Sequence, residues 1–207
     1  AVAMVHGDDK GLVLPPRIAG NKVAIVPILF EDSKKKVLKF ARDIEKKLKR
    51  FDALLDDRED YNPGWKFNEL ELKGVPIRIE IGPKDLAKKQ AVLVRRDNGK
   101  KEFVKIAGIG KKIESVLGDM QKGLFNKAKK FLDSRIDSAK DMKELIKKLK
   151  EGKIVKVYML NDGKVEDEIK SETGGATSRI IEEVKKDGRC IKSGKMCNTI
   201  AYIAKAY

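Results

Sequence analysis

The chain has 207 residues, 38% of them charged, and 47 Lys and Arg against 32 Asp and Glu give a formal net charge of +15. No apolar run approaches the length of a membrane span, and the opening AVAMVHGDDKG does not read as a secretion leader. Cys190 and Cys197 are the only cysteines, too few for a disulfide-built secreted domain, so a reducing, cytoplasmic compartment is expected.

A positive excess of this size draws in polyanions and speeds their encounter. The basic residues are interleaved with Asp and Glu along helical patterns, whereas a membrane-adsorbing helix gathers them on one face. Nucleic acid is therefore the expected partner and membrane is not. Lysine enrichment for heat or salt tolerance is the competing explanation of the charge.

The length suits one large domain or two small ones. Residues 1–5 are apolar and residues 6–9 (HGDD) polar and turn-like. Pro15 and Pro16 then stiffen a segment that reads as a passage from one domain to the next, with a partner domain expected before Ala1. His6, the single histidine, reads as a turn residue rather than an acid–base group. Residues 23–30 (VAIVPILF) predict a strand buried on both faces, with Pro27 placing it near an edge or ending it early. Residues 33–51 predict a helix with the apolar stripe Val37, Phe40, Ala41, Ile44 and Leu48. A short strand follows over 51–55.

Residues 61–85 (YNPGWKFNELELKGVPIRIEIGPKD) hold the densest chemistry. They predict a turn and short polar segment, a strand over 75–81, and a helix opened by Gly82 and Pro83. Trp65, Phe67, Glu71, Arg78, Lys84 and Asp85 supply side chains that stack on bases, bond base edges and hold phosphates. Core packing of Phe67, and an ion pair of Arg78 with Glu80 on the same strand face, are the plainer readings. A helix over 85–90 and strands over 91–96 and 101–106, joined at the Asn98-Gly99 turn, complete this part. Arg96 and Lys100 are candidate phosphate contacts. Residues 110–150 read as helical with breaks near Gly118 and Gly123. Beyond them come a strand over 155–160, a helix over 165–173 closed by Gly174-Gly175, a short alternation over 180–186, a knuckle-like loop from Cys190 to Cys197, and a strand over 199–207. The fold class expected is α/β, a mixed sheet with flanking helices, followed by a small α+β domain.

HGDDKGLVLPP, VAIVPI, PGWKFNELELKGVPIRIEIGPKDL, VLVRRD and AYIAKAY together resemble prolyl-tRNA synthetase of the archaeal and eukaryotic type, over essentially the whole chain. The resemblance implies four parts: residues 1–20 as the tail of the class II catalytic domain and a linker, 21–119 as the anticodon-binding domain, 120–150 as connecting helices, and 151–207 as a C-terminal zinc-binding-like domain. It implies a parent that attaches proline to its tRNA with ATP and magnesium and dimerises through its catalytic domain. The class II motifs would lie before Ala1, so this chain is expected to bind proline tRNA without being catalytic.

Phe67, Glu71, Arg78, Lys84 and Asp85 fall on the family's anticodon-contacting positions. Proline anticodons read N-G-G. A carboxylate accepts from a guanine's N1 and N2 donors, Arg and Lys donate to O6 and N7 or to phosphate, and Phe67 offers a stacking face. Relatives hold zinc with four cysteines. Here Leu160 and Val165 fall on the first pair, Cys190 matches in the second, Ser193 replaces its partner and Cys197 is extra, so zinc is not expected. A site built from both cysteines and carboxylates remains the alternative. Tyr207 would direct its carboxylate towards the catalytic domain. The competing function is a stand-alone RNA-binding or regulatory paralogue of the anticodon domain. A purely structural subunit is disfavoured by the retained base-reading set.

Overall fold

The computed structural model describes residues 1–206, and the expectation for Tyr207 lies outside the described residues. The chain divides into two units, Ala1–Ala128 and Lys129–Tyr207.

In the first unit Val23–Pro27 forms β1, buried at all five positions. Around it the sheet runs β2-β1-β3-β4-β5, with β2 at Ala53–Leu55, β3 at Ile77–Ile81, β4 at Gln90–Arg95 and β5 at Lys101–Lys105. β1 lies parallel to β2 and β3, while β3–β4 and β4–β5 are antiparallel. A short helix α1 (Val2–His6) opens the unit. The chain leaves β1 for β2 through α2 (Lys34–Leu48) and returns past β1 to β3 through α3 (Pro63–Lys73). Right-handed crossovers run in opposite directions along a sheet place their helices on opposite faces.

One face of the sheet, with Val23, Ile25, Ile77, Ile79 and Leu93, is closed by Val37, Ala41, Ile44 and Leu48 of α2. Ile113, Val116 and Met120 of α5 (Ile109–Arg135) complete that core, and α4 (Pro83–Ala87) adds Leu86 at its margin. The other face carries Ala24 and Val26 under Leu70 of α3, with Phe67 and Val75 packed alongside. The same face continues onto β4 and β5, where Phe103 is 71% exposed. The outer part of that face, along β5, is uncovered, while Val94 of β4 stays buried.

The second unit is a four-stranded sheet ordered β6-β7-β9-β8, from β6 (Ile136–Ser138), β7 (Ile154–Tyr158), β8 (Ala176–Arg189) and β9 (Met196–Lys205). Leu145 and Leu149 of α6 (Met142–Lys150) and Val165 and Ile169 of α7 (Gly163–Thr173) pack with Val155, Val157, Ala201 and Ile203. The architecture is a mixed α/β sheet with helices followed by a small α+β unit. Among the described residues, no helix is long and apolar enough to cross a membrane.

Three local expectations are corrected and one, at Pro27, is met. The polar segment after Tyr61 is helix α3: Asn62 caps it by accepting the Trp65 N–H at 2.9 Å, and Pro63 takes the first turn. Its inward face carries Lys66 beside Leu70, both buried, so the apolar period is interrupted by a lysine. The strand predicted over 23–30 ends early at Pro27, second from the sheet edge, as the proline led one to expect, and the next N–H, of Ile28, still bonds the Ile81 carbonyl at 2.8 Å. α5 runs unbroken through Gly118 and Gly123, and the helical stretch is interrupted instead by β6, ahead of α6. The short alternation over 180–186 is part of the 14-residue β8, whose register shifts between Ser178 and Ile180 and between Glu183 and Gly188. Such shifts break the two-residue period that marks a strand.

Candidate nucleic-acid interface

Phe67 and Glu71 are four residues apart on α3 and so share one side of the helix. That side faces Arg78 on β3. The Arg78 guanidinium lies over the Phe67 ring, 4.2 Å from its centroid. Its Nε and Nη2 donate to Glu80 Oε1 at 3.0 and 2.9 Å, and Nη1 donates to Glu71 Oε1 at 3.2 Å. Arg78 and Glu80 are 6% and 7% exposed. A cation so far from water is stable because two carboxylates face it. Glu71 is more open, with Lys10 Nζ 3.8 Å from its Oε2. The ion pair with Glu80 and the assembly of Phe67, Glu71 and Arg78 into one cluster therefore coexist.

Lys84 and Asp85 sit beyond the C-terminal end of β3. Lys84 is exposed. Asp85 Oδ2 accepts the Gly82 N–H at 3.0 Å, which closes the start of α4 and takes up a donor that the sequence left open for a ligand. Asp85 Oδ1 accepts from Gln90 Nε2 at 3.3 Å. Gln90 and Val92 share a β4 face, and Val92 pairs with Glu80 and Phe103. Asp85 thus stands at the rim of the face that carries Arg78 and Glu80.

Lys100 is exposed in the β4–β5 turn, beside the opposite end of β3. Arg96 is not available to phosphate. It is buried, and its Nη1 and Nη2 donate to Asp8 Oδ2 and Oδ1 at 2.7 and 2.6 Å while Nε donates to the Glu71 carbonyl at 2.8 Å. That bidentate bond holds the Asp8 carboxyl down to about 2, against an ordinary value of 3.8. It fastens the opening segment, whose Leu12 and Leu14 N–H groups bond the Leu72 and Gly74 carbonyls at 3.0 and 3.3 Å. The segment read as a passage between domains is laid along α3.

Trp65 does not join Phe67. It stacks on Tyr61 with centroids 4.0 Å apart, and the Arg58 guanidinium lies over both rings. Buried Lys66 donates to the Asp56 carbonyl at 3.1 Å and to the Arg58 carbonyl, which fixes the loop that holds this stack. The residues that the sequence reading passed over are Phe103, Lys101 and Gln90. The signal was present in β5, where alternation puts Lys101, Phe103 and Lys105 on one face, an aromatic residue between two lysines.

In the second unit Cys190 and Cys197 are free and buried, and Leu160 and Val165 pack in the same core. A tight loop survives, with Cys190 N–H to the Lys195 carbonyl at 2.8 Å and Gly194 N–H to the Cys190 carbonyl at 2.9 Å. Burial pushes the Cys190 thiol up, but the Ser193 hydroxyl and the N–H groups of Leu160, Ser193 and Lys192 together hold it below its ordinary value. The aliphatic Leu160 and Val165 have no donor atom, so these residues do not fit a tetrahedral zinc ion. Among the described residues, no group of three or more His, Cys, Asp or Glu is arranged to hold a metal.

Residues 22–116 match the family model described as "Anticodon binding domain" and residues 142–207 the one described as "Prolyl-tRNA synthetase, C-terminal". The chain is similar over its whole length to the proline–tRNA ligases of Oceanobacillus iheyensis (43% identical), Natranaerobius thermophilus (40%) and Ruminiclostridium cellulolyticum (41%). It spans 43%, 44% and 43% of the length of those three proteins. The chain thus carries an anticodon-binding domain followed by the C-terminal domain of prolyl-tRNA synthetase.

Proposed function

We propose that this chain, as the C-terminal portion of a prolyl-tRNA synthetase, is the part of a proline–tRNA ligase that grips the anticodon of proline tRNA. The observation that carries the reading is the cluster of Phe67, Glu71, Arg78 and Glu80 beside an uncovered sheet face, inside the region that matches an anticodon-binding domain.

Each guanine of the N-G-G anticodon presents N–H donors at N1 and N2 and acceptors at O6 and N7. Among the described residues Glu71 Oε2 meets only the Lys10 ammonium, 3.8 Å away, so it accepts the donors of one guanine. Asp85 meets the second by exchanging its bond to Gln90. Arg78, held over the Phe67 ring, presents its guanidinium edge to O6 and N7 as it shares its bonds with Glu80. Lys84 and Lys100 are exposed cations at opposite ends of the face and take phosphates. Arg96 supports the site by holding Asp8 and the end of α3.

Proline activation with ATP and magnesium, and dimerisation, belong to parts of the ligase outside these 207 residues. The compartment is the cytoplasm, where translation takes place. The full-length protein tests the reading. It is expected to catalyse ATP–pyrophosphate exchange with proline and not with the other amino acids, and to charge a proline tRNA far better than one with both anticodon guanines changed to cytosine. Absence of proline-dependent exchange would favour a paralogue that kept the anticodon domain alone.

A further inference from the structure

We infer that Phe103 seats a third unpaired base of the tRNA loop, next to the two guanines, by stacking and without reading its identity. The inference rests on the anticodon reading above and adds a residue and a task to it. Phe103 is 71% exposed although it sits mid-strand in β5, where a large apolar side chain normally finds a cover. Its cross-strand neighbour on the uncovered face is Val92, and the next residue in the same row is Glu80. At a strand spacing of roughly 4.8 Å, the ring stands about 10 Å from the Arg78–Glu80 cluster, on the same surface.

The flanking residues on this face are Lys101 and Lys105, both exposed. Lys101 also reaches Glu80, with Nζ 3.5 Å from Oε1. An open ring between two cations is complementary to a base with its phosphates, and a ring has no hydrogen-bonding edge with which to tell one base from another. Phe67 does not meet the same need, since the Arg78 guanidinium already lies on its ring. The division of labour follows: charged groups on α3, β3 and α4 read two guanines, and the β5 ring holds a neighbour whatever its identity, as an N-G-G anticodon requires.

The test is a double-mutant cycle on the 207-residue chain, with a fluorescent anticodon stem-loop of proline tRNA as the probe. Each of the two nucleotides flanking the guanines is made abasic in turn, and Phe103 is changed to Ala or to Trp. Phe103→Ala is expected to weaken binding roughly 10-fold or more, the range for loss of one base–aromatic stack, and Phe103→Trp to retain it. Preference for guanine over cytosine at the two read positions should survive in both variants. One of the abasic substitutions should cost the wild type as much as Phe103→Ala does and cost the variant nothing further. Unchanged affinity of Phe103→Ala, or losses that add for both flanking positions, would overturn the inference while leaving the guanine preference in place. Loss of wild-type preference for the guanine anticodon would instead overturn the reading beneath it. The exposed face would then belong to a protein partner.

Discussion

Arg78 joins stability to the proposed recognition in one side chain. Its guanidinium joins β3 to α3 through Glu71 and is neutralised within its own strand by Glu80. Removing it leaves two carboxylates, one of them nearly fully buried, with only the longer contacts to Lys101 and Lys10, at 3.5 and 3.8 Å, to offset them. Arg78→Ala is therefore expected to destabilise the chain by about 3–5 kcal/mol, read as a lower urea midpoint, with Arg78→Lys milder. Glu71→Gln keeps the shape and some of the pairing but replaces one acceptor with a donor. It should cost about 1–3 kcal/mol of guanine discrimination while binding to a cytosine anticodon changes little, as measured by competition between the two stem-loops. Equal loss for both would mean that Glu71 does not read a base. The Asp8–Arg96 bond gives a pH signature. Its carboxyl is held to about 2, below the ordinary 3.8, so its contribution is present above pH 3.8 and is lost as pH falls through about 2. Carboxyl-carbon NMR should place the Asp8 midpoint near 2 in the wild type and nearer 3.8 in Arg96→Gln.

At the scale of elements, the legible parts were those whose side chains follow one rule. β1 is apolar at every position and buried on both faces, and α2 has an unbroken apolar stripe; both were visible in the sequence. α3 was hidden because a buried lysine, Lys66, occupies its inward face and is satisfied by carbonyls that only the folded loop supplies. The role of Arg96 was hidden for a similar reason, since Asp8 is 88 residues away in the chain. Phe67, Glu71 and Arg78 were legible as a set because their chemistry needs no knowledge of the backbone. α5 was misjudged at its glycines. A Cβ added at Gly118 or Gly123 would meet nothing within 4 Å. Glycine inside a helix costs about 1 kcal/mol relative to alanine, so Gly118→Ala and Gly123→Ala should each raise stability by roughly 0.5–1 kcal/mol in thermal melts. Gly74 is the opposite case: it sits at φ +74° with a Cβ position 2.7 Å from the Leu12 carbonyl oxygen, so Gly74→Ala should destabilise by more than about 1 kcal/mol.

For the whole molecule, the net charge of +15 and the uncovered sheet face act at different ranges. The charge attracts any RNA, and its share of the affinity is released as counterions, so binding should weaken steeply with salt, by about 0.7–0.9 in the log–log slope for each phosphate neutralised. Contacts to base edges fall away less, so preference between anticodons should persist as salt rises. A flat salt response would show that the basic surface plays no part. The central claim is that this chain reads the two guanines of a proline anticodon, and a filter-binding titration at fixed salt tests it most directly. Proline tRNA transcript is compared with the same transcript carrying cytosine at both guanine positions. The account predicts a preference of at least roughly 10-fold for the guanine anticodon, from two read bases at 1–3 kcal/mol each. Equal binding of the two transcripts would contradict it and leave a basic surface that holds RNA without reading it.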